Sequence, residues 1–175
     1  MLNVKINEPS LGRKGFTLIE LLLYISCAAI MLTTVAVFLS FLLRTRVRSQ
    51  VIAEVDGQGQ QVLAIVSQLM RNATQINIPA APGNGSTLNF VVLDGAKSPT
   101  VVNLQNGALI LQEGNAPSVA LTNNRVIVSG VNFKNLSRPQ TSGTVQLSFT
   151  ITHINPIGRN EFNYKKDFIG SASLR

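Results

Sequence analysis

Residues 16–43 read FTLIELLLYISCAAIMLTTVAVFLSFLL, and this stretch decides the fold. It contains one charged residue, Glu20, and neither glycine nor proline. As a helix with a rise of about 1.5 Å per residue it would be about 42 Å long, which exceeds the roughly 30 Å of bilayer hydrocarbon. The run therefore predicts a transmembrane helix. A buried helix of a soluble protein is the alternative, which the length disfavours.

Two kinds of cleaved signal also contain an apolar run, but both fit this sequence less well. A secretory signal peptide has an apolar core of only about 7–15 residues. A lipoprotein signal would use Cys27, but Tyr24 fits poorly ahead of such a cysteine, and apolar residues continue well beyond it. Cys27 is therefore interpreted as a small lipid-facing or packing residue.

The composition agrees with a membrane-anchored domain. The chain has 175 residues, enough for one globular domain with an accessory segment. Hydrophobic residues make up 45% and charged residues 13%, which excludes intrinsic disorder. One cysteine and one histidine exclude an intramolecular disulfide framework and a His/Cys-rich zinc cage, and no metal or other cofactor is expected. The formal net charge of +7 does not by itself identify a partner.

The sequence around the start of the apolar run is more specific. Residues 12–22 read GRKGFTLIELL, which places a basic pair and a glycine before a phenylalanine, and a glutamate inside the helix. A charge at membrane depth costs about 2.5–3.5 kcal/mol even on lenient insertion scales, so Glu20 needs a partner. This block closely resembles the class III signal of type IV pilins and type II secretion pseudopilins.

The resemblance implies a processing site and an assembly residue. Prepilin peptidase would cut between Gly15 and Phe16 on the cytoplasmic face and then methylate the new amino group of Phe16. A glycine before the bond lets a catalytic group approach the backbone closely. Glu20 would neutralise the N-terminal amine of a neighbouring subunit, since such an amine is mostly protonated at neutral pH. The alternative for Glu20 is an interfacial acid that snorkels toward water.

The same resemblance implies the partners and the location. The partners are prepilin peptidase, other pilins or pseudopilins of the filament, an inner-membrane assembly platform and membrane lipid. The chain would be a single-pass inner-membrane protein with an extracytoplasmic head, incorporated into a filament after processing.

Apolar residues recur at helical spacing beyond the run, with polar residues on the other side. These positions are Val47, Val51, Val55, Val62, Val66 and Leu69. The helix is therefore expected to continue as an amphipathic stem to about Asn72, with an apolar stripe that covers a sheet. Gly57 and Gly59 mark either a bend, a frayed turn or simply tolerated glycines.

The rest of the chain predicts short antiparallel strands. The sequence AAPGNGS at 80–86 reads as a loop, and Asn106-Gly107 predicts a type I′ hairpin turn. The expected strands are Leu88–Leu93, Val101–Leu104, Ala108–Gln112, Val119–Thr122, Arg125–Val128, Val131–Lys134, Val145–His153 and Phe162–Phe168. The fold class is α+β, a long N-terminal helix packed on an antiparallel β-rich head. The expected segments are a leader peptide at 1–15, the transmembrane and assembly helix at 16–43, the stem at 44–75 and the extracytoplasmic head at 76–175.

The stem and head resemble one branch of the family, the minor pilins and minor pseudopilins of the W and J type. The similar stretches are VDGQGQQVLAIVSQLMRNATQI, APGNGSTLNF, NGALILQEG and the closing SASLR. The helix contains no proline and the head has no C-terminal cysteine pair, unlike many major pilins. Both departures favour a minor or pseudopilin-like subunit.

No catalytic constellation is evident, so an enzyme is not expected. The sole histidine, His153, ends an alternating strand and is interpreted as a satisfied or exposed strand residue. Cations of the head could form an anion-binding or DNA-binding face, although a solvated charged face is the default interpretation. They are Lys134, Arg138, Arg159, Lys165 and Lys166. The sequence thus predicts a minor pilin or pseudopilin that primes assembly at the filament tip, or alternatively a DNA-uptake or adhesive tip subunit.

Overall fold

The computed structural model describes residues 15–138 and 143–174. The predicted leader, including its basic pair Arg13 and Lys14, lies outside the described residues apart from Gly15. The chain divides into two compact units between Leu43 and Arg44.

One long helix, α1, runs from Leu18 to Arg71. Its residues in the first unit are all exposed, and it is the one helix in the described part of the chain that is long and apolar enough to cross a membrane. Its residues in the second unit carry a buried stripe. The stripe consists of Val51, Val55, Gly59, Val62, Val66 and Met70, spaced by three or four positions.

The head contains two antiparallel sheets. The strands are β1 Ala73–Ile78, β2 Gly83–Gly85, β3 Thr87–Val92, β4 Thr100–Gln105, β5 Ala108–Glu113, β6 Val119–Ala120, β7 Val126–Asn135, β8 Thr144–His153 and β9 Lys165–Ser173. One sheet has the order β1-β3-β4-β5-β6, and the other has the order β2-β7-β8-β9. This arrangement confirms the expected α+β class.

The buried stripe of α1 shares one hydrophobic core with both sheets. Phe90 from the first sheet and Phe133 and Phe149 from the second are its largest fully buried side chains. Strand β8 alternates as expected, with its odd-numbered residues from Val145 to Ile151 buried. The stem therefore completes the core of the head.

Strand β9 runs alongside the stem in the same chain direction. Lys166 reaches Asp56, the Phe168 ring packs on Gly59, and Gly170 lies against Leu63. The residues that precede β9 consequently lie toward the beginning of the stem.

Polar groups also fix the stem to the head. The side chain of Asn123 donates to Glu54 at 2.8 Å, and its backbone N–H donates to Gln58 at 3.1 Å. Arg125 lies 3.5 Å from the same glutamate. His153 is almost buried, with Nδ1 2.8 Å from the carbonyl oxygen of Ile154, which agrees with its interpretation as a satisfied structural residue.

Several strand predictions were correct and others were wrong. Asn106 and Gly107 both have positive φ, +50° and +76°, in the tight turn between β4 and β5, as a type I′ turn requires. The two strands predicted at Arg125–Val128 and Val131–Lys134 form one strand, β7, with an irregularity in its pairing at Gly130, which has a φ of +61°.

The largest errors concern the ends of the head. Residues 80–86 were expected to be a loop, but Gly83–Gly85 pairs with β7. The helix ends at Arg71 and Ala73 already begins β1, so the predicted stem at 44–75 includes the first residues of a strand. The last strand was expected at Phe162–Phe168. Asn160–Phe162 instead forms a short 3₁₀ helix, and pairing with β8 carries the strand from Lys165 to Ser173.

Candidate processing and assembly site

The predicted scissile bond lies in an open stretch before α1. Gly15 and Phe16 are exposed and have no regular secondary structure. Apart from the chain neighbours of Gly15, no described residue lies within 4 Å of the position that a Cβ on Gly15 would occupy. A protease could therefore reach this backbone from several directions.

Thr17 caps the first turn of α1. The backbone N–H of Glu20 donates to Thr17 Oγ1 at 3.4 Å, and the N–H of Leu21 donates to the Thr17 carbonyl oxygen at 3.2 Å. Thr17 and Glu20 have the spacing of a capping box. The T-x-x-E spacing of residues 17–20 is visible in the sequence and is the signal that predicts this cap. The cap fixes where the helix begins, two residues after the predicted cleavage site.

Glu20 is exposed in the first turn of α1. Within the described residues its carboxylate has no hydrogen bond or ion pair, while the positive end of the helix dipole favours an acidic residue here. The described residues thus leave this carboxylate available to another cationic group.

Phe16 makes one aromatic contact that the sequence analysis missed. Its ring meets Tyr24 edge-on, with centroids 5.9 Å apart and planes at 66°. This geometry is favourable for aromatic pairs. The contact places the side chain of Phe16, the predicted first residue after cleavage, along the helix surface.

The serine and threonine side chains on the apolar part of α1 are satisfied within the helix. Ser26, Thr33, Thr34 and Ser40 each donate to the carbonyl oxygen four residues earlier, at 2.7–2.9 Å. Such hydroxyls present no unsatisfied donor to a lipid or to a neighbouring helix. Together with its exposed leucines, isoleucines and valines, this leaves an apolar surface that nothing within the described chain covers.

The five predicted cations of the head do not form one cluster. Lys134 lies opposite Gln146 on β8, while Lys165 lies opposite Thr152, six positions along the same strand, or about 20 Å. Lys166 is on the other side of the sheet, where it pairs with Asp56 at 2.9 Å. That hydrogen bond raises the pKa of Lys166. Arg138 lies beyond β7, near the same end of the sheet as Lys134.

Arg159 belongs to a separate group at the beginning of the stem. Its guanidinium lies 3.4 Å from Glu161, and Arg44 lies 3.8 Å from the same carboxylate. A hydrogen bond from the backbone of Glu161 itself, followed by the one from Arg159, lowers the pKa of this carboxyl. Glu161 therefore links the segment before β9 to Arg44, the first residue of the second unit.

Residues 11–36 match the family profile described as the prokaryotic N-terminal methylation motif. No curated protein and no solved structure gave a significant match. The motif covers the candidate cleavage site, Glu20 and the first part of a long helix, whose later part packs on antiparallel sheets.

This combination indicates the type IV pilin and pseudopilin family. The motif indicates a type IV pilin-like subunit of a pilus or secretion filament, and it implies processing by prepilin peptidase and assembly with other pilins. Members of this family are structural subunits and not enzymes. The apolar N-terminal helix is consistent with a prepilin anchored in the inner membrane that later enters a filament.

Proposed function

We propose that this chain is a minor pilin or minor pseudopilin of the W or J type, which primes filament assembly near the tip. The observation that carries the assembly role is the apolar part of α1, which no described residue covers and whose first turn holds Glu20, a carboxylate that pairs with no described residue. An exposed apolar surface of this size is stable only against lipid or neighbouring helices.

Processing would create the cationic group that can pair with Glu20. Cleavage before Phe16 creates an N-terminal amine four residues from Glu20 in the sequence. In a filament, the amine of one subunit meets the Glu20 carboxylate of another, and pairing offsets the desolvation of both charges. An assembly platform in the inner membrane supplies the neighbouring subunits.

The minor role is supported by two sequence features that this chain lacks, a proline in the helix and a second cysteine. Between Leu18 and Arg71 there is no proline, and the chain contains one cysteine, so no intramolecular disulfide can close the head. Fold stability rests on the core beneath the stem. Many major pilins have both a proline in the helix and a C-terminal cysteine pair.

The test is the stoichiometry of purified filaments. Quantitative mass spectrometry of sheared filaments should find this chain far below the main subunit, and deletion of its gene should reduce the number of filaments. A stoichiometric amount of the chain, or an unchanged filament number in the deletion strain, would overturn the minor, priming role.

The alternative is a DNA-uptake or adhesive tip subunit. It requires cations on one face, and the separation of Lys134 from Lys165 and the pairing of Lys166 give it less support. Salt-dependent binding of duplex DNA by the head, weakened by Lys134→Gln, would favour it.

A further inference from the structure

The loop before β9 presents cations and one exposed apolar side chain at the beginning of the stem. We call residues 154–164 the basal loop. Asn155 closes it, because its side chain donates to the carbonyl oxygen of Arg159 at 2.9 Å and accepts from the backbone N–H of Arg159 at 3.0 Å. The exposed tip between them contains Ile157, which is 76% exposed.

The basal loop is held beside the residues that follow the apolar run. Glu161 accepts from Arg159 and forms an ion pair with Arg44, which directly follows Leu43 in the sequence. The direction of β9 along the stem supports the same placement, since Lys166 and Phe168 meet Asp56 and Gly59 further along α1.

Several exposed cations lie in the basal loop and in the residues next to it in sequence. The side chains of Arg44 and Arg159 are 71% and 51% exposed. Arg46 and Arg48 follow Arg44 on the stem, Lys165 follows the loop, and all three are exposed. Glu161 is the acid that both Arg44 and Arg159 contact, and its side chain is only 17% exposed. The group therefore has a positive surface with an apolar tip.

We propose that the basal loop, with Arg44, Arg46 and Arg48, binds the headgroups of anionic phospholipids at the surface of the membrane. From Leu18 to Leu43 the helix is about 39 Å long. A bilayer including its headgroups is about 40–45 Å thick, so Arg44 emerges at headgroup level. Charges within the Debye length of about 8 Å feel the surface potential of anionic lipid. The proposal rests on residues 16–43 spanning a membrane, but not on cleavage or filament assembly.

The exposed apolar tip favours lipid over a nucleic acid as the occupant. Ile157 is exposed two residues before Arg159, and a lipid interface accepts an apolar side chain beside headgroup phosphates. A DNA backbone presents phosphates and sugars, which offer Ile157 no apolar environment. The two occupants are separated by experiment.

The test uses the full-length chain reconstituted in lipid vesicles. Cys27→Ser removes the native thiol, and Ile157→Cys carries an environment-sensitive fluorophore. Vesicles contain phosphatidylcholine alone or with increasing phosphatidylglycerol, together with a lipid that has a spin-label quencher on its headgroup. Leu93→Cys is the matched control position, because Leu93 is 89% exposed and lies beside Arg71 at the far end of the stem, in an open cleft of about 820 Å³.

The proposal predicts strong quenching at position 157 that increases with phosphatidylglycerol and decreases at high salt, and little quenching at position 93. Arg159→Gln should lower the association of the loop with the anionic surface about fivefold. Arg46→Gln should have a similar effect without touching the ion pairs of Glu161. Lys134→Gln, at the other end of the sheet, should have none.

Equal quenching at positions 157 and 93 would overturn the proposal. So would quenching that does not depend on phosphatidylglycerol, or that survives both arginine substitutions. Duplex DNA binding that Arg159→Gln weakens, with no lipid signal specific to position 157, would assign the surface to DNA instead. The vesicles contain no filament and no peptidase. A result that contradicts the lipid proposal therefore leaves the proposed assembly function unaffected.

Discussion

Replacing Gly59 with alanine should destabilise the head, although alanine is the better helix former. Gly59 lies on the buried stripe of α1, and a Cβ built there would overlap atoms of the Phe168 ring. The ring cannot easily retreat, because it is 7% exposed and stacks on Phe149 with centroids 5.4 Å apart. The helix and β9 can approach this closely only at a residue without a side chain.

Two opposing effects set the magnitude. Alanine in place of glycine stabilises a helix by about 1 kcal/mol, whereas overpacking a well-packed core costs about 1–3 kcal/mol. The rigid pair of rings favours the upper part of that range, so Gly59→Ala should destabilise the head by about 1–2 kcal/mol. Gly57 is exposed, with no described atom near its potential Cβ, so Gly57→Ala should stabilise it by up to about 1 kcal/mol.

The assay is urea unfolding of a fragment that begins at Arg44, because this unit contains the whole core. The two alanine variants should differ by about 2–3 kcal/mol in free energy of unfolding. In a double-mutant cycle, Phe168→Leu should reduce the cost of Gly59→Ala. If Gly59→Ala proves as stable as Gly57→Ala, the close packing of β9 on the stem is refuted.

Three further predictions concern the core, the assembly residue and the ion pairs. Val62→Asp should destabilise the same fragment by several kcal/mol, since Val62 is fully buried and a charge there would have no partner. An unchanged melting temperature would contradict this prediction. Glu20→Val should leave the chain cleaved and inserted in the membrane. The variant should be scarce in sheared filaments, because the N-terminal amine of a neighbouring subunit is then buried without a partner. Incorporation into filaments at the wild-type level would contradict the role of Glu20. The lowered pKa of Glu161 means that its contribution to stability is present above about pH 4.3 and is lost as the pH falls through the folded-state value. Wild type should therefore lose more stability than Glu161→Gln between about pH 6 and pH 3 in urea titrations, and equal losses would show that the ion pairs contribute nothing.

The parts of the fold that depend on local pattern could be predicted from the sequence. Valine spacing indicated the buried side of the stem, because helical periodicity is a property of neighbouring residues. Asn106-Gly107 specified its own turn, since few other pairs adopt positive φ at both positions. The signal at residues 12–22 was equally local.

Features that depend on distant residues could not be predicted in this way. Gly59 looked like a weak point of the helix, and only the ring of Phe168, which follows it by more than 100 positions, accounts for it. The end of β9 has small residues with little strand propensity, and pairing with β8 holds it in place. The ion pair between Arg44 and Glu161 joins opposite ends of the second unit in sequence.

The central claim is that this chain is a prepilin that is cleaved between Gly15 and Phe16, just before its membrane helix. The most direct measurement is mass spectrometry of the chain co-expressed with an active prepilin peptidase, compared with Gly15→Val under the same conditions. The wild-type chain should begin at Phe16 with an additional N-terminal methyl group, and the variant should keep its leader, because a branched side chain blocks close approach to the bond. An intact leader on the wild-type chain, or cleavage near Cys27, would contradict the account.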